Sequence, residues 1–132
     1  MKNGSITAAL FAAVFALTAA VIPLSSASAE TLSSGSFVGK SNHMTSGKVS
    51  VVKSGNGYQL VLEDSFRFDG APDPKLAFGK NGYDKTTLFS KLNKNSGKQV
   101  YDLPASIDVS KYNEVWVWCE KFSVPLGVAK LN

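Results

Sequence analysis

The chain has 132 residues, with 14 Lys plus Arg against 10 Asp plus Glu, one histidine, one cysteine and a net charge of +4. Its lysines are scattered among acids, with no run or stripe that would track a phosphate backbone, so nucleic acid is excluded as the expected partner. Because Cys119 is the only cysteine, no intramolecular disulfide can form, and packing alone must stabilise the fold.

Residues 1–29 read as a cleavable secretory signal. Lys2 supplies the positive start, Ile6 to Leu24 the apolar run, and Ala27-Ser28-Ala29 the small-x-small cleavage site. Thr7 and Thr18 interrupt the run, Pro23 closes it and no basic anchor follows, which favours cleavage over a retained span. No cysteine stands near the cleavage site to accept a lipid. The expectation is a secreted or periplasmic protein that meets the membrane only during export. Its single mature domain of 103 residues, 30–132, carries a net charge of +3. A chain of that size buries one core and has no room for a second domain.

Along residues 30–132 short β-type runs alternate with turn residues, and no helical period persists. Ser36 to Lys40 is a first strand. Gly47 to Ser54 turns Val49 and Val51 inward and Lys48, Ser50 and Val52 outward. Gly55-Asn56-Gly57 then closes a hairpin with the strand that places Tyr58, Leu60 and Leu62 on one face. Phe66 and Phe68 precede a loop from Asp69 to Pro74, where two prolines and a glycine forbid a regular ladder. Leu76 and Phe78 mark a short strand, Gly79 to Gly82 a turn, and Thr87 to Leu92 either a helical turn or an irregular edge. Gly97 to Leu103 is a further strand ended by Pro104, and Ile107 to Tyr112 is a connection plugged by Ile107 and Val109. Val115 to Cys119 is the strongest strand, β-branched and aromatic throughout. Phe122 to Leu131 contains Pro125 and Gly127, so it is expected at an edge or bulged. The expected fold is all-β, a compact antiparallel β-sandwich or barrel-like domain.

Extending the alternation of the strongest strand puts Val115, Val117, Cys119 and Lys121 on one face and Trp116, Trp118, Glu120 and Phe122 on the other. Lys121 then lies about 7 Å from Cys119, where its charge favours the thiolate that reacts. The same row also fits a bland reading, with Cys119 a small buried hydrophobe. Trp116, Trp118 and Tyr101 offer a stacking surface for a sugar or a protein, with at least one tryptophan expected in the core. His43 reads as a surface-loop residue, since Met44 beside it points the opposite way in an extended segment and no zinc-like spacing surrounds it. Glu63, Asp64, Asp69 and Asp73 lack the spacing of a calcium loop and read as solvated turn acids. No metal set and no cofactor motif is evident.

The stretch Gly97-Lys98-Gln99-Val100-Tyr101, Leu103-Pro104, Tyr112, Val115, Trp118-Cys119, Phe122, Val124 and Gly127 to Leu131 resembles the DM13 domain family. Gly35-Ser36-Phe37, Ser46 to Val49, Leu60 to Phe66 and the Gly-x-Pro-Asp loop from Gly70 to Asp73 extend the resemblance over nearly all of residues 30–132. It implies an exported β-sandwich module of a kind found beside DOMON and cytochrome-type domains. It also implies that Cys119, which matches the family's signature cysteine, takes part in redox or electron-transfer chemistry. One thiol cannot run an internal dithiol cycle, so turnover calls for a redox partner protein: a partner thiol, a sulfenic acid stage, or a cofactor bound elsewhere. The alternative is a non-catalytic ligand- or protein-binding module that uses the Trp116 and Trp118 face or the Asp69 to Pro74 loop.

Overall fold

Glycine, proline and asparagine cut the chain into ten strands: β1 Glu30–Gly39, β2 Thr45–Ser46, β3 Lys48–Ser54, β4 Gly57–Leu62, β5 Arg67–Phe68, β6 Pro74–Gly79, β7 Ser90–Lys91, β8 Gln99–Asp102, β9 Glu114–Cys119 and β10 Val124–Lys130. The computed structural model describes residues 12–14, 16–20 and 29–132. The predicted signal, apart from those few positions and Ala29, lies outside the described residues. Among the described residues there is no α-helix, and no helix long and apolar enough to cross a membrane.

Eight strands form one antiparallel sheet in the order β7-β6-β9-β10-β1-β3-β4-β8, curled until it nearly closes into a barrel, while β2 and β5 form a separate two-stranded ladder. The expectation of an antiparallel sandwich or barrel therefore resolves to the barrel-like form. Its interior collects Val49, Val51, Leu60, Leu62, Phe66, Phe78, Val115, Val117 and Leu126, all buried. Each such side chain contributes about 1.5–3 kcal/mol relative to exposure. Phe37 meets Phe66 edge-on at 5.4 Å, the geometry that ring quadrupoles favour.

The β3–β4 hairpin forms at the expected turn, with Ser54 opposite Gly57 and Val51 opposite Leu60. Two expectations along it need correction. Ser50 and Val52, placed outward, are also buried, and the Ser50 hydroxyl donates to Glu63 Oε1 at 3.2 Å. The first strand is longer than Ser36–Lys40, because β1 serves two partners: its first part pairs with β3 and Phe37 to Gly39 pair with β10. Gly35 stands where the strand changes partner, and a Cβ there would collide with the Lys130 carbonyl oxygen.

β10 is bulged, as one of its two expected forms, with the register slipping between Pro125 and Gly127. It is not at an edge, since β9 and β1 flank it. At the bulge the Leu126 carbonyl accepts from Thr45 Oγ1 at 2.8 Å. Gly127 is required because a Cβ would stand 2.7 Å from Thr45 Cβ. The stretch from Thr87 to Leu92, left between a helical turn and an edge, divides. A 3₁₀ turn over Lys85–Thr87 is capped by the Asp84 side chain, and the two-residue β7 follows on the edge of β6.

Candidate functional site

β9 sits between β6 and β10, so both of its backbone edges are paired, and its side chains sort strictly by pleat. Val115, Val117 and Cys119 point into the barrel, where Cys119 is only 2% exposed. Cys119 lies opposite Pro74 of β6 and Val124 of β10, and it is a free thiol. The strand stops there. Lys121 lies in the following turn, not on the strand face of Cys119, because alternation ends where the ladder ends. It is solvent-exposed, and its Nζ lies 5.3 Å from the centre of the Phe122 ring.

That turn, residues 120–123, is tied to the start of β6. The Glu120 and Lys121 amides donate to the Asp73 carbonyl at 3.2 Å and to Asp73 Oδ2 at 3.0 Å. Lys75 Nζ reaches Glu120 Oε1 at 2.8 Å and Asp73 Oδ1 at 3.6 Å. The hydrogen bond to Glu120 raises the Lys75 ammonium above its ordinary value, helped by the Asp73 charge. Cys119 therefore stands at the end of its strand, next to a turn fastened to β6.

The opposite face of β9 carries Trp116 and Trp118, both half-buried, their rings edge-to-face at 6.3 Å. Neither is a fully buried core residue. Their third member is not Tyr101, which belongs to the core. The Tyr101 hydroxyl donates to Gln99 Oε1 at 2.5 Å and accepts from the Asn93 amide at 3.0 Å. Tyr83 takes the place expected for it, lying flat on Trp118 with ring centres 3.7 Å apart and planes 7° from parallel. The loop from Gly79 to Asp84 delivers it, with Asn81 and Gly82 at positive φ and the Gly82 amide donating to the buried Glu114 carboxylate at 2.7 Å. Burial pushes the Tyr83 phenol up, and the charges of Glu120 and Asp84 add to the shift. A groove of about 480 Å³ opens beside the pair, walled also by Lys85, Leu88, Glu120 and Ser123. Beneath the loop, Trp116 Nε1 is buried with no partner among the described residues.

His43 is half-buried, with Nδ1 at 2.9 Å from Asp69 Oδ1, while the Met44 amide donates to Asp69 Oδ2 at 3.0 Å. These two bonds, the Met44 amide first, hold the Asp69 carboxyl below its ordinary value. The four acids do not converge: Asp69 serves His43, Asp73 serves the 120–123 turn, Glu63 serves Ser50, and Asp64 offers its backbone carbonyl to Arg67. Among the described residues no three His, Cys, Asp or Glu side chains are grouped to hold a metal ion.

A family model described as "Electron transfer DM13" matches residues 36–131. No curated protein and no solved structure matches the chain.

Proposed function

The chain belongs to the DM13 family, and on that premise we propose that it is an exported electron-transfer module in which Cys119 is the redox group. The observation that carries this reading is the family match itself, which spans nearly the whole β domain and includes the chain's only thiol. The signal-like sequence of residues 1–29 supports export, and the unpaired thiol supports a partner that supplies the second redox group. Exchange proceeds by attack of the Cys119 thiolate on a partner disulfide, which forms the mixed disulfide and releases one partner thiolate. Since Cys119 is buried, the 120–123 turn must open first. Lys121 adds a solvent-screened positive field from that turn.

A second reading is favoured by one observation. The 2% exposure of Cys119 suits a structural thiol, in a binding module whose contacts are made by the outer aromatic face. Thiol labelling of the folded protein at neutral pH separates the two. The redox reading expects labelling by local opening, faster than global unfolding. Labelling that occurs only at the rate of global unfolding removes it in favour of the binding module.

A further inference from the structure

We propose that Tyr83 and Trp118 form the surface port through which single electrons leave and enter this domain. The assignment rests on the electron-transfer reading, but not on Cys119 being the inner end of the path. At 2% exposure, Cys119 does not touch a partner's redox centre while the barrel end is closed, so an electron reaching it in that state crosses protein. Its neighbour Trp118 is the next residue, one peptide or about 3.8 Å away between Cα atoms, and the pleat sends the two side chains to opposite faces of β9. Trp118 is thus where the inside of the barrel comes closest, along the chain, to an oxidisable group on the outside.

Tyrosine and tryptophan are the aromatic side chains that give up single electrons most readily. Here they lie face to face at 3.7 Å and 7°, so a positive hole spreads over both rings. The groove beside them opens to solvent and gives a partner access. Tyr83 is half-exposed on this groove, so its phenolic proton can pass to solvent. The other aromatic groups are less suited. Trp116 Nε1 is buried, with no partner among the described residues, so its proton reaches neither solvent nor a base, and the Tyr101 hydroxyl donates to a neutral amide. The Tyr112 hydroxyl lies 3.5 Å from Asp84 Oδ2, but its ring packs on Phe78, which cannot share a hole.

A strong one-electron oxidant of the partner, such as a high-valent metal centre, accepts one electron and is reduced. The Tyr83 O–H bond breaks and its proton passes to solvent in the groove, leaving a tyrosyl radical stacked on Trp118. Refilling from Cys119 breaks the S–H bond, returns one electron and one proton to Tyr83, and leaves a thiyl radical.

The test oxidises the folded protein with photogenerated tris(bipyridyl)ruthenium(III) and follows the radical by transient absorption and by electron paramagnetic resonance of the freeze-trapped sample. Wild type should give a tyrosyl signal, and Tyr83→Phe should lose it and show a tryptophan radical. The double variant Tyr83→Phe/Trp118→Phe should lose both, while Tyr112→Phe keeps the wild-type signal. Circular dichroism checks that each variant is folded. An undiminished tyrosyl signal in Tyr83→Phe, or its loss in Tyr112→Phe, would overturn the port. Cys119→Ala separates the two readings: the aromatic radical should still form there. A radical lifetime equal to wild type in that variant sinks the thiol reading and leaves the port standing.

Discussion

Replacing Cys119 by serine tests how dry the barrel is at the end of β9. The thiol is 2% exposed and continues the inward row of Val115 and Val117. Backbone ladders to β6 and β10 flank it, and among the described residues no hydrogen bond to its sulfur is formed. A hydroxyl placed there gives up water and gains no partner, which costs about 2 kcal/mol. Alanine removes the sulfur but introduces no polar atom, so its cost should be smaller, about 1 kcal/mol. In a domain of this size 1 kcal/mol moves Tm by about 4–8 °C. Cys119→Ser should therefore melt about 10 °C below wild type, and Cys119→Ala should fall between them. Thermal unfolding followed by circular dichroism reads both. A serine variant as stable as the alanine variant would mean that water reaches the site in the folded state, and the burial argument would fail.

Trp118→Ala should cost about 1–2 kcal/mol through loss of the Tyr83 stack and half of its buried area, whereas Lys121→Ala should stay within about 0.5 kcal/mol; denaturant titration reads the difference. Asp69 is held below its ordinary value of 3.8 by Met44 and His43, so its contribution is present above that pH and is lost as pH falls through the lower folded value. The Tm gap between wild type and Asp69→Asn should accordingly close in acid, and a gap independent of pH would contradict the pairing. Lys75 is raised above 10.5 by Glu120. Its contribution is complete below 10.5 and is lost as pH rises through the raised value, so Lys75→Met should approach wild-type stability only in strong alkali. Intact mass of the exported protein should correspond to a chain starting at Glu30, and a form retaining Met1 would contradict cleavage.

How far the sequence could be read depended on the kind of signal each element carried. The β3–β4 hairpin and β9 were readable because alternation and turn chemistry are local, and they recur in the structure within a residue or two. The first part of β1 was not, because Ser33-Ser34-Gly35 has no apolar period and becomes a strand only through its pairing with β3. β2 and β5 were missed for a related reason: two residues each carry no period, and twenty positions separate the two strands. At the site, Cys119, Trp116 and Trp118 were correctly placed on opposite faces. Lys121 was misplaced by carrying the period past the end of the ladder. Tyr83 had no sequence signal beyond following Asn81-Gly82, since its partner Trp118 is brought to it only by the β6–β9 pairing and the Gly82–Glu114 bond.

The sorting on β9 also constrains how the family's chemistry can work in this chain. A strand paired on both edges cannot rotate one side chain outward without shifting its neighbours by the same pleat, so Cys119 and Trp118 cannot both become exposed while the ladder holds. The thiol route proposed above exposes Cys119 by opening the adjoining 120–123 turn, where Asp73 and Lys75 hold Lys121 and Glu120. Electron transfer through Trp118 needs no such opening. The two routes differ in their dependence on the clasp. Lys75→Met should speed thiol labelling of Cys119 by freeing the turn, yet leave photo-oxidation of Tyr83 unchanged, because the Tyr83 and Trp118 rings are held by β9 and the Gly79–Asp84 loop. If both rates rise together, the port and the thiol are reached by one opening motion, and the separation of routes argued from the pleat is wrong.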